Sequence, residues 1–207
     1  MKTINSKTMK ALFLMSVTFL FFLISCDSQT KTNVKKVEFG INVVANLSEI
    51  PAAIIDTLKS KGVQIESNQQ QPVLGYISKA DSMVLQIDLS EQNIKLVKTV
   101  YLADKEQKYY GLVGIRPNTV INIASLKNAK TNGTNVEIYF NSKGAKDWAE
   151  FTKQNIGKSI AFTIDDQIYS IPVINGEIKH GIAMITGLNN ESIAKNISES
   201  LNLSIPK

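Results

Sequence analysis

The sequence predicts an α+β fold, with helices packed on antiparallel or mixed sheets and arranged as two subdomains. Three observations carry this expectation. Short β-branched segments alternate apolar and polar residues, most clearly at Ile160, Phe162 and Ile164, as a strand with one face in a core does. Ile50, Ile54 and Leu58 recur every four residues, and Ala145, Trp148, Ala149, Thr152 and Ile156 follow helical spacing, so two segments carry an apolar stripe. Strands and helices interleave along the chain, with turn residues between them.

Ahead of the fold lies a leader. Lys2, Lys7 and Lys10 precede the apolar run ALFLMSVTFLFFLIS at residues 11–25. That run is short for a membrane span, which needs roughly 20 apolar residues, and its flanks fit a secretory signal peptide. It ends in Leu23-Ile24-Ser25-Cys26, which resembles the lipobox of bacterial lipoproteins. The resemblance implies cleavage before Cys26 and attachment of diacylglycerol to its thiol, making Cys26 the lipid attachment site. One acyl chain anchors only marginally, and two or three hold a protein on a membrane without a spanning helix. Residues 1–25 are therefore set aside as signal peptide, and the polar stretch 26–36 is read as a flexible tether reaching about 3.3–3.6 Å per residue when extended. Cys26 is the only cysteine, so the domain is expected to fold without a disulfide. Of the 23 basic and 18 acidic side chains, three lysines fall in the leader, so the mature chain carries +2 rather than +5. The basic pI is thus no nucleic-acid signature. Asn46, Asn132, Asn190, Asn196 and Asn202 begin Asn-x-Ser/Thr triplets, read here as compositional bias rather than glycosylation sites.

Residues 37–115 are assigned to an N-terminal α+β subdomain. Val37 to Ala45 is β-branched and reads as a strand. Ser48 is the expected cap of a helix that carries Pro51 in its first turn and Ile50, Ile54 and Leu58 on one face, and that Gly62 ends. Val63–Glu66, Val73–Ile77 and Met83–Leu89 read as short strands. Asn93–Ala103 and Tyr109–Ile115 read as two more, around the polar turn Asp104-Lys105-Glu106-Gln107, with Arg116-Pro117 breaking the second.

Residues 116–207 are assigned to the second subdomain. Ser125 is expected to cap a brief helix through Lys130, closed by the turn dipeptide Asn132-Gly133. Val136–Phe140 is a strand. Ser142 is expected to cap the helix bearing Trp148, which Gly157 closes. A hairpin follows, with Asp165-Asp166 at its tip and Tyr169 and Ile171 on the returning strand. Ile178–Thr186 reads as a strand, and Asn190 caps a last helix carrying Ile193, Ala194, Ile197 and Leu201.

Residues 136–201 resemble the head subdomain of the large periplasmic domain of SecD, the accessory subunit of the bacterial Sec translocon. Gly144, Thr152, Asn155, Gly157, Lys158, Ala161, Asp165, Ser170, Pro172, Ile178, Gly181, Ile185 and Gly187 fall at that family's positions with nearly gapless spacing. The order strand-helix-hairpin-strand-helix is the same. The helix before Gly62-Val63 is similar to the ferredoxin-like base beneath that head. The family's hairpin tip is often Asp-Gly, whereas this chain has Asp165-Asp166. No second apolar stretch is long enough to span a membrane, so the chain is expected to lack the proton-driven motor of SecD.

Nothing in the residues marks an enzyme. His180 is the only histidine, and a metal site needs several ligands at suitable spacing; it is read as an exposed strand residue. Asp165-Asp166 is read as a solvated turn rather than an acid–base pair. No serine has a base supported by a motif, and no glycine-rich phosphate loop is present. Arg116 is the sole arginine, which argues against bidentate anion recognition. Trp148 is read as core. Tyr109-Tyr110 is read as a strand pair. No cofactor, metal, small-molecule substrate or nucleic-acid partner is expected. One binding mode follows from the architecture: an extended peptide added to a sheet edge. The resemblance implies a lipid-anchored, non-catalytic binding module at the bacterial cell envelope, facing the periplasm or extracytoplasmic side. Its expected partners are Sec components or unfolded exported polypeptide. The alternative is a structural lipoprotein that reuses the fold for an unrelated envelope partner, since fold does not fix function.

Overall fold

In a computed structural model of the chain, the described residues are 34–68, 71–83, 85, 87–100, 108–117 and 120–207. The signal peptide, Cys26, most of the tether and the turn at 104–107 lie outside them. The strands are β1 (Phe39–Val44), β2 (Gln64–Ile65), β3 (Gly75–Ser78), β4 (Lys95–Thr99), β5 (Tyr109–Arg116), β6 (Leu126–Asn132), β7 (Asn135–Phe140), β8 (Ile160–Ile164), β9 (Gln167–Ser170) and β10 (Ile182–Ile185). The helices are α1 (Ala52–Ser60), α2 (Lys79–Ser82), α3 (Ser142–Gln154) and α4 (Glu191–Ser204). They form a seven-stranded mixed sheet, β1-β8-β9-β4-β5-β3-β2, and a three-stranded antiparallel sheet, β10-β7-β6. The α+β class expected from the sequence is the class observed.

The larger sheet closes on itself. β1 pairs with β8 along five residues and returns to β5 through Val43↔Arg116 and Val44↔Ile115. β4 and β9 run parallel, and the remaining pairs are antiparallel. β1, β8, β9, β4 and β5 thus make a ring, from which β3 and β2 extend along the first half of β5. Side chains alternate across a strand, so Val44, Val97, Val113, Ile115, Ala161 and Ile168 fill the ring. Phe39, Ile41, Ile160, Phe162 and Ile164 face outward into the main core with the second sheet, α3 and α4. β8 is therefore buried on both faces rather than half-buried as its alternation suggested. Within the ring Asn42 Nδ2 donates to Thr163 Oγ1 at 3.1 Å, and that hydroxyl donates to the Gly40 carbonyl at 3.0 Å, so these buried polar groups are paired.

Several local expectations need correcting. Asn46, not Ser48, opens the first helical region: its N–H donates to Glu49 at 2.7 Å across a 3₁₀ turn, and α1 starts only after Pro51. Residues 83, 85 and 87–89 form no strand. Ser78 caps α2 by accepting from the Asp81 N–H, and Leu85, Ile87 and Leu89 then pack on the core without a ladder. The helix expected over 125–130 is strand β6. A bulge between Leu126 and Asn128 shifts the register, so Leu126 and Ala129 are both buried and their three-residue spacing imitates a helix. Asn141 rather than Ser142 caps α3, accepting from the Gly144 N–H at 2.8 Å. Asn190 caps α4 as expected, accepting from the Ile193 N–H at 2.9 Å.

At the β8–β9 hairpin tip Asp165 and Asp166 hold φ values of 48° and 58°, the left-handed pair that a two-residue hairpin turn demands. Asp165 accepts from the Glu38 N–H at 3.0 Å and pairs with Lys35 at 2.7 Å. Partial burial pushes its carboxyl up, but the Lys35 ammonium and the Glu38 N–H outweigh that and hold it below the usual carboxylate range. A depressed folded pKa contributes stability above the unfolded value, about 3.9, and that contribution is lost as pH falls through the folded value. Asp165→Asn is accordingly expected to be less stable than wild type at pH 7 and to converge with it in strongly acid urea melts. A difference that persists unchanged to low pH would remove the charge from this account.

Candidate functional site

The three-stranded sheet has two edges, and the chain treats them differently. At β6 the amide of Asn202 on α4 lies against the strand. Asn202 Oδ1 accepts from the Ala129 N–H and its Nδ2 donates to the Ala129 carbonyl, both at 2.8 Å. Thr131 and Ser198 hydroxyls meet at 2.8 Å beside them. A side-chain amide so placed offers the same donor and acceptor as a neighbouring strand, and it occupies an edge that would otherwise recruit one.

β10 has no such cover. Among the described strands it pairs only with β7, with Ile182 opposite Tyr139 and Met184 opposite Glu137. The Phe140 N–H donates to the Gly181 carbonyl. Bonded positions alternate in an antiparallel ladder, so Gly181, Ala183 and Ile185 face β7, and the N–H and C=O of Ile182 and Met184 face outward. The two residues are 39% and 38% exposed. Gly181 enters the strand at φ 61°, which starts it later than the sequence suggested and leaves His180 exposed in the preceding bend.

Alongside β10 runs a cleft of about 510 Å³, lined by Trp148, Ile160, Phe162, Pro172, Ile178 and Met184 among others. Trp148 is core as expected, 2% exposed and set between the Phe140 and Phe151 rings at 5.6 and 6.0 Å. Its Nε1–H is buried without a hydrogen-bond partner among the described residues, a rare condition for a buried donor. Glu177 is the one charged residue in the lining, and Lys179 pairs with it at 3.5 Å. Beyond β10 on the outer sheet face, Tyr139 donates to Glu137 at 2.6 Å under the Lys130 ammonium. The Tyr139 hydroxyl, aided by Asn132, holds the Glu137 carboxyl below its usual range.

A second cleft, about 840 Å³, separates the start of β1's exit loop from α3. Arg116 spans its floor, donating to Glu49 and to the Gln92 carbonyl. Burial pushes Glu49 up, but the Asn46 N–H and Arg116 bring it below the usual carboxylate range. The sole arginine therefore binds internal acceptors. Tyr110 on β5 lies beneath the Lys98 and Lys79 ammoniums at 5.3 and 5.9 Å. Among the described residues no group of three His, Cys, Asp or Glu side chains is placed to hold a metal, and no helix is long and apolar enough to cross a membrane.

The described residues thus form an α+β domain with one strand edge clamped and the other open beside an apolar cleft. The sequence profile of the family described as SecDF, P1 head subdomain, matches residues 98–204, just over half of the chain, and the chain belongs to that family. Protein translocase subunit SecD of Rhodothermus marinus is 38% identical over 93 residues, which cover 42% of this chain and 15% of the relative. The SecD of Acidaminococcus fermentans is 24% identical over 210 residues, covering 94% and 48%. The SecDF of Thermus thermophilus is 41% identical over 63 residues, covering 30% and 9%. The chain thus spans less than half the length of these relatives. A solved SecDF structure, a membrane component that enhances protein export, overlays 98% of this chain and 70% of its own with a TM-score of 0.47 at 19% identity.

Proposed function

We propose that this chain is a lipid-anchored, non-catalytic protein-binding module of the bacterial envelope that assists Sec-dependent export. The observation that carries the reading is the family match over 98–204 in a chain whose Cys26 directly follows an apolar leader. The lipid on Cys26 holds the domain at the membrane, facing the periplasm or extracytoplasmic side. Its partners are Sec components or unfolded exported polypeptide.

Two measurements test it. Fatty-acid label should enter the protein and vanish on Cys26→Ala; label that survives the substitution removes the anchor. Cross-linking in cells should capture translocon components or exported chains above background, and capture at background level removes the export role.

A further inference from the structure

We propose that β10 is the docking strand of this domain, and that an extended, uncharged polypeptide segment adds to it as a fourth strand with an apolar side chain in the Trp148 cleft. The inference rests on the protein-binding reading and names where and how binding occurs. The outward N–H and C=O of Ile182 and Met184 supply the ladder, since strand addition draws affinity from main-chain bonds and specificity from side-chain pockets. The other edge is already occupied by Asn202, so one edge of this sheet remains. The cleft beside it is about 510 Å³, within the range of ligand-holding clefts. The buried Trp148 Nε1–H, which has no partner among the described residues, is a donor suited to a carbonyl of the incoming segment.

The occupant follows from charge and size. Glu177, the cleft's one charged lining residue, is neutralised by Lys179, so the complementary segment carries no charge. A second copy of this chain fits poorly. β10 has four residues, about 13 Å of strand, and pairing two such edges buries far less than the roughly 1,200–2,000 Å² of a stable interface. A short extended segment has no folded bulk to exclude and combines the edge with the cleft.

The test uses the purified full chain and an acetylated, amidated nine-residue peptide of alternating valine and threonine. Binding should slow hydrogen exchange at the Ile182 and Met184 amides and change the emission of Trp148, the lone tryptophan. The same peptide N-methylated at alternate residues, which cannot form a ladder, should bind about tenfold more weakly. Met184→Pro, which removes an outward N–H at a tolerated edge position, should weaken binding similarly. Trp148→Phe, which keeps a ring and removes the donor, should weaken it severalfold. Equal binding of the N-methylated peptide overturns the proposal even if both variants misfold. So does protection of these amides in a dimer without peptide. Peptide binding at β10 without cross-links to exported chains in cells sinks the export role and leaves the docking strand standing; cross-links that Met184→Pro leaves intact do the reverse.

Discussion

Gly144→Ala is expected to destabilise the domain by about 2 kcal/mol, the overpacking cost less the small gain in helix propensity. A Cβ at Gly144 would stand 2.2 Å from the Ser125 carbonyl oxygen and 2.9 Å from the Ser125 Cβ. Neither neighbour is the free end of a flexible side chain. Ser125 ends the 3₁₀ turn Ile123–Ser125, its hydroxyl donates to the Val120 carbonyl, and its carbonyl accepts from the Asn141 N–H at 3.0 Å. Relief requires the first turn of α3 to lift away, and that turn positions Trp148. The expected readout is a drop of roughly 5 °C in melting temperature for a domain of this size, with a change in Trp148 emission. A melting temperature at or above wild type would show that α3 can retreat without loss.

Asn202→Ala is expected to cost about 2 kcal/mol and to create a second open edge. The substitution removes both bonds to Ala129, and a partly buried N–H and carbonyl left unpaired each carry a penalty of about 1–3 kcal/mol before water relieves them. The second effect is the more diagnostic. With the clamp gone, β6 presents unpaired groups to other chains, and such edges promote association. Light scattering should show concentration-dependent growth for the variant and none for wild type, and the Ala129 amide should exchange faster. Asn202→Asp keeps the acceptor for the Ala129 N–H but sets a carboxylate against its carbonyl, so intermediate stability is expected. Wild-type stability and exchange in Asn202→Ala would assign the cover of β6 to the rest of α4.

What could be read from the sequence was local. The Asp165-Asp166 hairpin and the Asn190 cap each depend on residues within a few positions of one another and appear where the pattern put them. Trp148 and Thr152 of the α3 stripe are buried, but the helix ends at Gln154 and leaves Ile156 exposed. β6 was hidden by its own bulge, which replaced a period of two with a spacing of three. The Met83–Leu89 segment shows the converse error, for alternation marks burial and only a neighbour makes a strand. The candidate site was legible in kind and not in place. Strand addition follows from any sheet, but β10 becomes the open edge because Asn202 reaches Ala129 from 73 residues away. Trp148 was recognisable as core from its helical position, whereas its unpartnered Nε1–H depends on what the surrounding strands omit.

The ring of strands also sets an order of events in time. β1 is among the first segments of the domain to emerge during synthesis, yet its partner β8 lies 121 residues further on, as the Asn42–Thr163 bond shows. Contacts of such separation form slowly, because the loop entropy is lost before any pairing is gained. The β6–β7 hairpin, closed by Asn132 and Gly133, needs only its own residues. During vectorial emergence, the smaller sheet can therefore start to assemble while the edge of β1 that pairs with β8 still waits for its partner. Refolding is expected to show an early hairpin phase and a slower one set by ring closure, and that interval is when this chain most resembles an unfolded polypeptide.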